Sequence, residues 1–254
     1  MKNSLLKLLC VSLALFVFAV MAWGSSSDSE NKPISESSNS SDATSSTQND
    51  DQLDENNEEN DLSDVPTEFT LTAGQYYAGI DIPCGKFDLV AISGDGNVSS
   101  SNMFSGGVNG MFGGPEVDSE LYNESFNGVK LPKGERIEIS GDLVVQFSYT
   151  RVDAGFTGRT EDAANILTLT QGNYDIGVDI PAGIYTIRVT DGSGNVACSV
   201  YRGGLNELMG APGSDNSFIT YIPEYKNAYL RDGDELSIGG MTIELIPMIP
   251  GIEG

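Results

Sequence analysis

Residues 76–89 read YYAGIDIPCGKFDL, and residues 174–187 read YDIGVDIPAGIYTI, an offset of 98 residues. The likeness extends well beyond that phrase. TLTAGQYYAGIDIPCGKF pairs with TLTQGNYDIGVDIPAGIY, SGDGNVSSS with DGSGNVACS, GGPEVD with GAPGSD, and LPKGERIEISG with LRDGDELSIGG. The copies run over roughly 67–151 and 166–248. Two repeats are too few for a solenoid, whose units each bury a face only against neighbours. The chain is therefore expected to build one small module twice, at 66–151 and 166–254, joined by a linker over 152–165.

The module reads as all-β. In Ile82-Pro83-Cys84-Gly85 and Ile180-Pro181-Ala182-Gly183, proline second and glycine fourth predict a type I turn. Downstream, Tyr185, Ile187 and Val189 alternate with Thr186, Arg188 and Thr190, the period of a strand with one buried face. Asp95-Gly96 and Ser193-Gly194 are expected to make tight turns into the next strand. Gly134-Glu135 and Gly233-Asp234 turn into Ile137/Ile139 and Leu236/Ile238, and the last strands carry Val145, Phe147 and Tyr149, and Met241, Ile243 and Leu245. Only GGLNELMG could close a helical turn or two. Six or seven short strands with frequent turns imply an antiparallel β-sandwich or partly open barrel in each module.

What precedes the repeats has a different chemistry. Residues 1–24, MKNSLLKLLCVSLALFVFAVMAWG, combine Lys2 and Lys7 with an apolar run, as expected of a secretory signal peptide or an uncut membrane anchor. Either way the rest of the chain is expected outside the cell, extracellular or at the cell surface, with the membrane touched only through this segment. Residues 25–65 hold twelve carboxylates and one lysine among serines and asparagines, a net charge of −11. A stretch with so little to bury does not offset its ordering entropy, so a disordered, extended acidic linker is expected.

Composition excludes whole classes of activity. The formal charge of −24 repels phosphate backbones, so nucleic acid is not a partner. There is no histidine, which removes Ser-His-Asp and Cys-His catalysis and the usual His-ligated metal sites. No cofactor and no metal site is expected. Cys84 and Cys198 stand at non-equivalent places in the two copies, opposite Ala182 and Ser100, and read as two separate buried thiols.

The string G-x-Y-x-x-G-x-D-I-P-x-G-x-Y/F, followed by G-x-G-N-V and later L-x-x-G-D/E-x-L/I-x-I-x-G, resembles β-rich modules of secreted proteins and lipoproteins of Gram-positive bacteria. The resemblance covers both copies and implies an exported, surface-associated protein. It carries over no activity and no site residue. VMAWGSSSDSE departs from the lipoprotein pattern, because Trp23 stands where the lipidated cysteine belongs.

Comparing the copies sorts the candidate residues. Asp81 and Asp179 are kept in both and read as carboxylates fixing a neighbouring turn. Asp191-Gly-Ser-Gly-Asn195 lacks the glycine position and final glutamate of a calcium loop. Tyr221, Tyr225 and Tyr229 fall on one face if the strand is regular. Tyr122 and Phe126 match the first two and imply packing, which leaves Tyr229 exposed. With Tyr201 and Arg202 it makes a candidate platform for a neutral glycan. The outward positions Val90 and Ile92, matched by Arg188 and Thr190, make an apolar face that some partner is expected to cover: the other module, the linker or a surface protein. The expected function is non-catalytic binding or scaffolding through the two modules. Carbohydrate binding through exposed tyrosines is the first alternative, and a carboxylate-based hydrolase, which needs two converging acids with one pKa raised, is the remoter one.

Overall fold

The structure, a computed structural model, describes residues 68–118, 120–149, 152–153, 155–198, 204–216 and 218–251. The signal-like segment and the acidic stretch lie outside the described residues. Module 1 forms β1 (Glu68–Leu71), β2 (Gly74–Tyr77), β3 (Cys84–Ser93), β4 (Asp95–Ser100), β5 (Asn109–Gly113), β6 (Ser125–Leu131), β7 (Arg136–Ile139) and β8 (Val144–Ser148). The connecting segment adds β9 (Val152–Asp153) and β10 (Arg159–Glu161). Module 2 forms β11 (Leu167–Leu169), β12 (Gly172–Asp175), β13 (Gly183–Cys198), β14 (Asn206–Gly210), β15 (Glu224–Leu230), β16 (Glu235–Ile238) and β17 (Met241–Pro250). The described residues are all-β, as expected. LNELMG, read as a helical turn, is instead the strand β14 paired with β13.

Each module is two sheets over one core. In module 1 the order β1-β8-β3-β6 makes one layer and β2-β7-β4-β5 the other. Phe87, Leu89, Val98, Ile137, Ile139 and Phe147 are fully buried between them. Alternation along the strands puts these residues inside, as in the ladder Phe69↔Phe147 with Leu89↔Phe147, where the Phe69 and Phe147 rings stack at 5.3 Å. Module 2 repeats the plan around Ile187, Val196, Leu236, Ile243 and Leu245. Cys84 and Cys198 lie buried in separate cores as thiols, and burial pushes the Cys198 thiol up to about 11.

Two of the glycine phrases do other work than expected. Asp95-Gly96 and Ser193-Gly194 do not reverse the chain. β3 passes into β4 through Gly94 (φ +70), and β13 runs unbroken from one layer into the other past a register shift between Val189 and Asp191. The glycines permit close backbone crossing at this corner. A Cβ on Gly96 would lie 1.8 Å from the Ser140 carbonyl oxygen, and one on Gly194 1.9 Å from that of Gly239. The tight turn of the D-I-P-x-G phrase also precedes its proline. Tyr77–Ile82 closes through Asp81 N–H to Tyr77 O at 2.8 Å and Gly79 N–H to Ile82 O at 2.7 Å, with Gly79 at φ +81. Asp81 locks it by accepting the Tyr77 N–H at 2.8 Å, and Asp179 does the same for Asp175 at 2.9 Å.

The linker region is knitted into both modules. β9 pairs with β3, while β10 pairs with β17. The modules also meet directly, because β15 lies parallel to β2 with Lys226 opposite Gly74. Every other pairing between named strands is antiparallel. This junction makes a 12-stranded sheet that runs from one module into the next.

Candidate functional site

The seam between the modules gathers the most perturbed side chains among the described residues. β15 approaches β2 so closely that a Cβ on Gly74 would meet the Lys226 carbonyl oxygen at 2.6 Å, and Lys226 N–H donates to Ala73 O at 3.0 Å. Ala73, from module 1, packs into the core of module 2. Beside this backbone contact, the fully buried Tyr225 donates its hydroxyl to Glu138 Oε1 at 3.1 Å. Gln75, 2% exposed, hydrogen-bonds to both Glu138 and Tyr225. Glu207, on β14 and 7% exposed, accepts the Gly141 N–H at 3.2 Å.

Burial governs the electrostatics here. It raises the Glu207 carboxyl to about 7, with the Gly141 N–H pulling the other way and the charge of Glu138 adding to the rise. Glu138 is raised as well, mainly by burial, against the opposing pull of Arg136, Tyr225 and Gln75. Tyr225 is held well above the ordinary phenol range by burial and by the two acids facing it. Two acids therefore do converge, as a hydrolase would require, but each is already tied to a group across the seam.

A second tie runs through the connecting segment. The Arg159 guanidinium pairs with the Asp81 carboxylate, both side chains being nearly enclosed, and lies 5.7 Å from the centre of the Tyr77 ring. The adjacent Gly158 N–H donates to Ile80 O at 2.7 Å. Asp179, the copy of Asp81, belongs to a turn that stays exposed. Next to Asp81 opens a cavity of about 210 Å³ lined chiefly by Phe69, Leu71, Pro83, Tyr149 and Phe156. It is smaller than the roughly 300 Å³ at which small-molecule pockets begin. Among the described residues no three or more Cys, Asp or Glu side chains are grouped to hold a metal ion.

Of the residues singled out from sequence, Tyr201 and Arg202 lie outside the described residues. Tyr229 is 41% exposed, with the Arg231 guanidinium 5.1 Å from its ring centre. It does not share a face with Tyr225. Asn227 takes φ +55 and forms a bulge, so Asn227 and Ala228 are buried in succession and the alternation slips by one residue. Val90 and Ile92 remain 41% and 42% exposed on β3, and the contact between modules is made through β2 and β15 instead. In module 2 the copy of Val90 is Arg188, which pairs with Glu224 at 2.9 Å and Glu161 at 3.1 Å.

The seam acids were passed over in the sequence, yet the copies mark them. Glu138 matches Ser237, Glu207 matches Gly110 and Tyr225 matches Phe126, so each seam residue is present in only one module. In comparison with known proteins, no family model, no curated protein and no solved structure matches this chain.

Proposed function

We propose that the chain is an exported, non-catalytic binding or scaffolding protein that works outside the cell or at its surface. The observation that carries this reading is the seam. A shared sheet, a buried Tyr225–Glu138 contact and the Arg159–Asp81 pair hold the modules in one fixed arrangement, and leave their outer faces to meet partners. Glu138 and Glu207, the acids most suited by burial to proton transfer, serve this joint. The exposed apolar pair Val90 and Ile92 is the face best suited to a protein partner.

A second reading, binding of a neutral glycan, is favoured by Tyr229. Its exposed ring beside the Arg231 guanidinium offers a stacking surface and hydrogen-bond donors of the kind sugars use. Binding of the full chain to a panel of glycans, wall polymers and surface proteins separates the readings. Saturable glycan binding lost in Tyr229→Ala supports the sugar platform. Protein binding lost in the Val90→Lys, Ile92→Lys double variant supports the scaffold. Turnover of a panel glycan that disappears in Glu138→Gln or Glu207→Gln would return the chain to the carboxylate hydrolases.

A further inference from the structure

The seam joins two unlike surfaces of one repeated unit, and each surface has an unused copy. β15 of module 2 is the joining strand, and its copy in module 1 is β6, which ends its layer in the order β1-β8-β3-β6. β2 of module 1 is the receiving strand, and its copy in module 2 is β12, which pairs only with β16. A contact between unlike surfaces of a repeated unit does not close on itself, so it can continue from chain to chain. We propose that this protein associates head to tail, β6 of one copy adding to β12 of the next in the way β15 adds to β2 within the chain.

Five observations support this partner. Tyr225 is fully buried in the seam, whereas its copy Phe126 on β6 is 40% exposed. The part of β6 that matches the joining residues Glu224–Lys226 is Ser125 to Asn127, and all three residues are exposed. The far part of β6 is covered by its own chain, where Lys130 N–H donates to Gly106 O at 2.8 Å.

On the receiving side, Gly172 copies Gly74. Where a Cβ on Gly74 would strike Lys226, the atoms nearest to one on Gly172 belong to its own Tyr174 ring, at 3.5 Å. Among the described residues no strand pairs along that edge. The two seam acids are also absent from the new contact, Gly110 replacing Glu207 and Ser237 replacing Glu138, so docking would bury neither. Finally, the charges differ in sign. Module 1 sets Lys86 directly across from Lys130 on β3 and β6, and module 2 sets Asp175 across from Glu235 on β12 and β16, all four exposed. The seam's parallel register, Lys226 opposite Gly74, carried over to the copies Asn127 and Gly172 sets Lys130 opposite Asp175, so opposite charges meet when the two ends dock.

Sedimentation of the full chain from low to high micromolar concentration tests the inference. The expected result is a mass that rises with concentration through dimers to longer species, and falls with added salt. Asn127→Pro removes the backbone donor on β6, and Gly172→Val blocks β12. Because a side chain at Gly172 also strains its backbone (φ +159), the charge reversal Asp175→Lys, Glu235→Lys serves as a second block of that edge. Each variant alone should be monomeric, whereas an Asn127→Pro chain, which keeps β12, mixed with a charge-reversed one, which keeps β6, should form a 1:1 complex and grow no further. The control mixture is Asn127→Pro with Phe126→Lys, Asn127→Lys: both keep β12 and neither keeps β6, so no complex should form. A wild-type chain that stays monomeric at every concentration overturns the inference, as does association that persists in the β6 and β12 variants.

Discussion

Strands β2 and β12 are copies of one another, GQYY and GNYD, with the same glycine at the start and the same tyrosine hydroxyl bonded four residues back, Tyr76 to Thr72 O at 3.0 Å and Tyr174 to Thr170 O at 2.9 Å. Their surroundings differ. Gly74, Gln75 and Tyr76 are buried in succession, whereas Asn173 and Asp175 are exposed. The strand itself is thus the same object in both modules, and docking by β15 is what gives β2 its buried outer edge. The same lesson holds for Tyr225 and Phe126, buried and exposed at matching positions. Fold comes from what the copies keep, and assembly from what only one of them has.

The strongest test of that distinction is truncation of the matched aromatics. Tyr225→Ala removes a fully buried ring and leaves Glu138 without its hydroxyl donor, so a loss of about 3–5 kcal/mol is expected in denaturant unfolding. Phe126→Ala should cost less than about 1 kcal/mol, because its ring is already partly in water. Equal losses would mean that the seam does not distinguish the modules.

The two aspartates of the D-I-P turn give the next comparison. Both accept a local N–H, but only Asp81 also holds Arg159 in an enclosed pair. Arg159→Ala leaves that carboxylate buried without its cation. A loss of about 3 kcal/mol is expected, toward the lower end for a broken buried pair, since burial already raises the pKa of Asp81 and lets it take up a proton. Asp179→Asn weakens a single bond on an exposed turn and should cost about 1 kcal/mol. Thermal unfolding of the two variants side by side checks the ratio.

Glu207 and Gly110 make the comparison depend on pH. The Glu207 carboxyl rises from the ordinary 4.5 to about 7 in the folded chain. The folded state therefore holds its proton where the unfolded state releases it. Its contribution is greatest below pH 4.5 and is lost as pH climbs through about 7, a change of up to about 3 kcal/mol. Glu138 shifts in the same direction and adds to the trend. In Glu207→Gln the slope of stability against pH between those values should flatten, which urea unfolding across the range measures. An unchanged slope would assign the dependence to Glu138 or to other carboxylates.

Much of the fold could be read from the chain, because strand alternation is local. Val145 and Phe147, or Ile243 and Leu245, announce their buried face within three residues. Tyr229 was legible as exposed from its alternation with the buried Leu230. The glycine phrases were harder. Asp95-Gly96 has the composition of a hairpin turn, and its actual role depends on Ser140, a residue far along the chain that crosses the same corner. The bulge at Asn227 that separates Tyr225 from Tyr229 was hidden for a similar reason: a phase slip is set by pairing with β13, and composition does not record it. The seam was least legible. Its hydrogen bonds join Gly141 to Glu207 and Glu138 to Tyr225, and nothing near either acid indicates the other.

The smallest expected effect isolates the seam most cleanly. Gly74 and Gly172 have nearly the same backbone, φ +154 and +159, so a valine strains both positions alike. They differ in what a side chain would meet first: the Lys226 backbone and Cβ at Gly74, and the flexible edge of the Tyr174 ring at Gly172. The common strain cancels in the difference between Gly74→Val and Gly172→Val, leaving the cost of pushing β15 off β2, about 2 kcal/mol for overpacking of this kind. If unfolding of the two variants differs by less than the scatter of the measurement, β15 yields without loss and the shared sheet contributes little to holding the modules together. If the difference appears, and Gly172→Val alone also lowers the mass of the associated chain, one glycine position joins module to module and its copy joins chain to chain.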